Sequence, residues 1–121
     1  VSNGTRLFIT DNSGAKIAKI INVDHSKTRQ RRLPKATVGD VVTVTIKKGK
    51  PELRGNILKA VVVRQRRIFR RIDGTRLCFE DNAGVIVTPE GDPKGTEIRG
   101  PIAREAAETF PRLASISSLI I

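Results

Sequence analysis

Apolar and polar residues alternate with period two through most of the first three-quarters of the chain. In DVVTVTIK (40–47), Val42, Val44 and Ile46 fall on one face and Thr43, Thr45 and Lys47 on the other, the pattern of a half-buried strand. RLFIT (6–10) and AKIAKIINV (15–23) flank the polar turn DNSG (11–14), where Asn12 and Gly14 tolerate left-handed backbone. NILKAVVVRQ (56–65) is apolar on both faces in its middle, which predicts a central strand. TRLCFE (75–80) and AGVIVTP (83–89) follow, bounded by Gly, Asn, Asp or Pro. Short strands separated by such turns predict a mainly β fold, a small antiparallel barrel.

The pattern changes after PEGDPKG (89–95), which reads as a rigid turn. GPIAREAAETF (100–110) places Pro101 near a helix start, follows it with helix formers, and stops at Pro111. RLASISSLII (112–121) carries Leu113, Ile116 and Ile120 at helical spacing. Two short helices packed on the barrel are expected. No repeat or low-complexity linker interrupts the chain, so residues 1–121 form one domain: a barrel with basic loops over 1–89, then a turn and helices over 90–121.

Charge narrows the function. The chain holds 23 Lys and Arg against 12 Asp and Glu, a formal net charge of +11. Residues 1–72 carry 18 basic and 4 acidic side chains, and residues 73–121 carry 5 and 8. A charge serving solubility alone has no reason to segregate in this way, whereas a polyanion contacted by one part of the chain explains it. Nucleic acid comes first and an anionic membrane second. The longest apolar stretch, SISSLII, is far short of the roughly 20 residues a span requires. Nor do the cations line one amphipathic helix. No targeting segment is visible, and the lack of any Met leads us to expect an initiator and a short leader before Val1. The single Cys78, read as pointing inward, makes no disulfide framework.

Within VVVRQRRIFRRIDG (61–74), five arginines in eight positions (Arg64, Arg66, Arg67, Arg70, Arg71) follow a buried strand. Guanidinium groups match phosphate geometry and stay charged at any working pH. KKGKPELRG (47–55) reads either as a β-ribbon tip placing Lys47, Lys48, Lys50 and Arg54 on phosphates, or as a plain surface hairpin. Phe8 and Phe79 alternate like core residues, which leaves Phe69 as the one candidate for base stacking. Structured RNA or a duplex, held by phosphates and shape, therefore fits better than a single strand. A local turn accounts for every residue of DNSG without a metal or phosphate. His25 is the sole His, and Glu80 and Asp81 sit at a turn beside Asn82. No catalytic, metal or cofactor pattern is present, so an enzyme is not expected. A free RNA-binding module and a DNA-architectural protein are the alternatives to a stable ribonucleoprotein component.

AVVV (60–63), nine intervening residues, DG (73–74), then Phe79, Asn82 and VI (85–86) resemble the signature of the universal large-subunit ribosomal protein fourteen family. DNSGA (11–15), VGD (38–40), KKGKPELR (47–54), FEDNAGVIVTPEG (79–91) and PKGTEIRGPIARE (93–105) extend the resemblance over nearly the whole chain, in wording similar to the archaeal and eukaryotic cytosolic branch. It implies a five-stranded barrel with a β-ribbon and two short C-terminal helices. It further implies a structural, cofactor-free component of the cytoplasmic ribosome that binds large-subunit ribosomal RNA near the sarcin–ricin region. The partners implied are neighbouring large-subunit proteins, small-subunit RNA at intersubunit bridges, and anti-association factors. Carried over, RNA contacts fall on Lys16, Lys27, Arg29, Arg31, Arg32, Lys47, Lys48, Lys50, Arg54, Lys59, Arg64, Arg66, Arg67, Arg70 and Arg71, and the subunit-facing candidates are Thr96, Arg99 and Arg104. Ile68 and Ile72 stand where relatives often carry Pro.

Overall fold

Strands β1 (Arg6–Ile9), β2 (Ala15–Val23), β3 (Val41–Gly49) and β4 (Ile57–Arg64) pair antiparallel in succession. The chain then makes a small hairpin of β5 (Phe69–Arg70) and β6 (Arg76–Leu77), and β7 (Ala83–Val87) closes the barrel between β4 and β1. This computed structural model describes residues 4–23, 37–52, 54–71, 73–88 and 92–121. One feature departs from an all-antiparallel barrel: β7 pairs with β1 in parallel, Phe8 opposite Ala83 and Ile9 opposite Gly84. Five strands cannot alternate direction all the way round a closed circle, so one pair must run parallel.

Inward-facing residues fill the barrel. Leu7 and Ile9 on β1, Ala18 and Ile20 on β2, and Val42, Val44 and Ile46 on β3 meet Ala60 and Val62 on β4 and Ile86 on β7. The alternation expected of β3 holds, because Val42, Val44 and Ile46 are buried while Thr43, Thr45 and Lys47 are not. Strand β4 differs because both its faces are covered. Val61 and Val63 point outward with Ala83, Val85 and Val87 into a second apolar cluster built on the C-terminal residues. Each buried valine contributes roughly 1.5–3 kcal/mol relative to exposure, which explains a strand apolar at every position from Ala60 to Val63.

The covering layer consists of strand β8 (Ile98–Ile102), helix α1 (Arg104–Thr109), helix α2 (Pro111–Ile116) and strand β9 (Ser117–Ile120). Ile98, Ile102, Ala106, Ala107 and Leu113 pack on the outer faces of β4 and β7. Two short helices are present as expected, but their flanks differ from the sequence reading. Pro101 lies in β8 rather than at a helix start, because buried Ile98 and Ile102 hold this segment extended. The N–H groups of Arg99 and Ala103 bond to the carbonyls of Thr10 (2.7 Å) and Val63 (3.0 Å) and fix it to the barrel. The spacing of Leu113, Ile116 and Ile120 does not mark one helix either. After Ile116 the chain straightens and pairs in parallel with β8, leaving Ile120 exposed. A helix of one and a half turns has little intrinsic stability, and the free edge of β8 offers its tail a ladder instead.

Segment 75–80 also departs from expectation. Only Arg76–Leu77 form a strand, and Cys78 is exposed rather than inward. The Phe79 N–H bonds to the carbonyl of Gln65 (3.0 Å), which draws the chain out of the barrel sheet into the hairpin.

DNSG is a turn, but its side chains reach across the fold. Asp11 is buried and accepts hydrogen bonds from the Ser13 hydroxyl (2.7 Å), the Ser13 N–H (3.3 Å) and the Ile86 N–H (3.2 Å). Asn12 accepts from the Thr96 N–H (2.7 Å) and donates to the Thr96 hydroxyl (2.8 Å). These bonds join the β1–β2 corner to β7 and to the segment entering β8. Burial raises the Asp11 carboxyl above its ordinary 3.8, and the three hydrogen bonds only partly oppose it. The folded state therefore takes up this proton more readily than the unfolded chain, so the cost of burying the charge is present above the raised pKa and is fully relieved below 3.8. We expect the stability of the wild type relative to Asp11→Asn, read from urea midpoints, to rise as pH falls through that interval and to be flat above it. A difference that falls on acidification would contradict this role.

Candidate nucleic-acid interface

The segment leaving β4 is held by side-chain-to-backbone bonds. Buried Gln65 donates from Nε2 to the carbonyl of Arg67 (3.1 Å). The Arg66 N–H donates to Asn82 Oδ1 (3.0 Å), and Arg66 Nε donates to the carbonyl of Glu80 (2.8 Å). Phe69 stacks on Phe79 with ring centroids 6.5 Å apart, so the aromatic proposed as a base stacker packs inside the hairpin. At the hairpin end, Asp73 Oδ1 accepts from the Thr75 N–H (2.9 Å), a bond that holds the Asp73 carboxyl below its ordinary range. Gly74, at φ +90°, supplies the left-handed residue of the turn.

This frame divides the five arginines into two groups. Arg64 lies 3.2 Å from Asp81 and Arg71 lies 2.8 Å from Glu105, each guanidinium side chain only 13% exposed. Arg71 also donates to the carbonyl of Ile121 (2.6 Å) and lies 5.9 Å from the Phe69 ring centroid. These two charges have internal partners. Arg66, Arg67 and Arg70 are exposed and have no carboxylate partner among the described residues. Arg70 faces Arg76 directly across the β5–β6 pair, and like charges in that position repel. Arg76 was not singled out from the sequence because only the strand pairing reveals it.

A second basic cluster forms where the β3–β4 ribbon crosses the β1–β2 turn. The Lys50 N–H donates to the carbonyl of Gly14 (3.0 Å), and a Cβ on Gly49 would come within 2.7 Å of that same oxygen. The backbones approach so closely that only glycine fits at position 49. Lys47, Lys48, Lys50 and Arg54 are exposed around the ribbon, and Lys16 is exposed on neighbouring β2. Lys59 stands apart: half-buried, it hydrogen-bonds Thr43 Oγ1 at 2.8 Å. Arg6 and Lys19, also overlooked in the sequence, face each other across β1 and β2 on the barrel's outer surface. Lys27, Arg29, Arg31, Arg32 and His25 lie outside the described residues.

The subunit-facing candidates do not form one cluster. Thr96 is bonded to Asn12 at the β1–β2 corner, and Arg99 is exposed on β8. Arg104 instead lines a cleft of about 440 Å³ between the β5–β6 hairpin and α1, with Phe69, Arg71 and Glu105. Among the described residues no His, Cys, Asp or Glu cluster could hold a metal, and no helix is long and apolar enough to cross a membrane.

The family model for ribosomal protein L14p/L23e matches residues 1–121. A protein of Thermofilum pendens named large ribosomal subunit protein uL14 is 58% identical over 113 residues, 93% of this chain and 80% of the relative. Proteins with the same name from Nitrosopumilus maritimus and Pyrobaculum aerophilum are 51% and 56% identical over 118 and 115 residues. Those matches cover 98% and 93% of this chain and 84% and 80% of the relatives.

The internal pairs have a measurable consequence. Arg71→Ala removes an ion pair and a charge-assisted bond that tie the hairpin to α1 and the C-terminal carbonyl, and should lower unfolding stability by about 2 kcal/mol. Arg67→Ala, which removes an exposed head, should change it by less than about 0.5 kcal/mol. Urea unfolding of both variants checks the contrast, and equal effects would show that Arg71 does not tie the hairpin down.

Proposed function

Because the chain belongs to the ribosomal protein L14p/L23e family, and is therefore a non-catalytic structural constituent of the large ribosomal subunit, we propose that it grips ribosomal RNA with two basic clusters on one barrel. The first is the rim group Arg66, Arg67 and Arg70. The second is the ribbon group Lys47, Lys48, Lys50 and Arg54, with Lys16 beside it. The observation that carries this reading is the division of the arginines: those with internal carboxylates build the hairpin, and those without are left exposed at its surface. Exposed cations in fixed positions are the electrostatic footprint of a phosphate backbone. Asn82 holds the Arg66 N–H, the Glu80 carbonyl holds the Arg66 guanidinium and Gln65 holds the Arg67 carbonyl before any RNA arrives, so less ordering of these two residues is required on binding.

The C-terminal layer serves a different kind of partner. It carries three Arg and two Glu, and Leu119, Ile120 and Ile121 are exposed in and just after β9. That combination suits neighbouring ribosomal proteins better than RNA. Thr96 before β8, Arg99 on β8 and Arg104 at the start of α1, all exposed, are the candidates for the side facing the small subunit, where bridge RNA or an anti-association factor would meet it.

The RNA reading is tested by replacing Arg66, Arg67 and Arg70 together with Gln and measuring binding of the full chain to large-subunit ribosomal RNA at several salt concentrations. The slope of log affinity against log salt should become shallower by roughly 2–3, one increment for each lost phosphate contact. The circular dichroism of the barrel should not change. An unchanged slope would remove the rim arginines from the interface.

A further inference from the structure

We propose that the outer face of β1–β2–β3 is a further RNA subsite adjoining the ribbon cluster through Lys48, in which an unpaired base stacks on Phe8 while Arg6, Lys19 and Lys48 hold the flanking phosphates. The inference rests on the RNA-binding reading above and names a contact of a different chemical kind. Phe8 is 52% exposed. The other three phenylalanines are half-buried: Phe69 and Phe79 stack on each other, and Phe110 packs on the C-terminal cluster. Phe8 is thus the most exposed phenylalanine, the reverse of what its alternation in the sequence suggests.

Strand register determines what surrounds it. Phe8 lies opposite Ile17, which lies opposite Lys48. One row along, Arg6 lies opposite Lys19, which lies opposite Thr45. Phe8 and Arg6 share a face of one strand, about 7 Å apart, a separation within one nucleotide's reach from base to neighbouring phosphate. Strands β1, β2 and β3 contain no carboxylate. Among the described residues Arg6 and Lys19 have no ion-pair partner, so the repulsion between them is relieved by an external anion. An apolar protein partner would bury these cations unpaired. A nucleotide supplies the ring for Phe8 and the anion for the Arg6–Lys19 pair together.

The chain has no Trp or Tyr, so Phe8→Trp introduces a single indole reporter at the site. Octa-adenylate RNA should quench its fluorescence, and inorganic polyphosphate, which has charge but no base, should not. Phe8→Leu should weaken octa-adenylate binding about tenfold, the lower part of the range for one stacked base, and leave polyphosphate binding unchanged. Equal affinity of Phe8→Leu and wild type for the RNA, or equal quenching by both polyanions, overturns the proposal. In assembled large subunits, a photoreactive phenylalanine analogue at position 8 should cross-link to RNA; cross-linking only to protein, or to nothing, also overturns it. Loss of ribosomal RNA binding by the Arg66, Arg67 and Arg70 variant alongside a failed Phe8 test would sink this subsite alone. Full binding by that variant would sink the rim reading instead.

Discussion

Strand β4 lies between two apolar layers, and most of the molecule's surface chemistry follows from that constraint. Ala60 and Val62 complete the barrel interior, while Val61 and Val63 require a cover that the C-terminal layer provides. Placing β8, α1 and α2 over β4 and β7 leaves Arg6 and Phe8 on β1 and Lys16 and Lys19 on β2 exposed outside that layer, while Val41 of β3 packs at its margin. The strongly basic first part of the chain therefore keeps exposed cations on its sheet, and a layer with three Arg and two Glu lies over the strand that needs burial.

The same cover explains which arginines are available. Asp81 stands just before β7 and Glu105 in the first turn of α1, so both carboxylates flank the exit of β4 and take up Arg64 and Arg71. Two further pairs of cations face each other in register without an ion-pair partner among the described residues: Arg70 opposite Arg76 and Arg6 opposite Lys19. Like-charge pairs in register weaken an isolated sheet. On the proposed RNA-binding reading each pair would hold one phosphate, and part of the barrel's stability would then be expressed only in the complex.

Local pattern carried much of the architecture. The β3 alternation, the all-apolar middle of β4 and the run at 83–87 fixed their strands, because each reports burial within a few residues. What failed depended on partners distant in sequence. Pro101 looks like a helix start until Ile98 and Ile102 are seen seated on β4 and β7, and Cys78 looks inward until Phe79 is drawn toward Gln65. The arginine run was legible as a polyanion signal, but the loss of Arg64 and Arg71 to carboxylates 17 and 34 residues away was not. Arg6, Lys19 and Arg76 escaped notice because single cations on a strand acquire meaning only from the register opposite them.

On the proposed reading, charge left unpaired by the fold is charge given to RNA. Arginine modification with a dicarbonyl reagent, mapped by mass spectrometry in the free protein and in intact large subunits, tests it most directly. Arg66, Arg67 and Arg70 should react in the free protein and be protected in the subunit, while Arg64 and Arg71 should be slow in both. If the first three stay reactive within the subunit, the rim does not hold RNA and the division of the arginines has no bearing on binding.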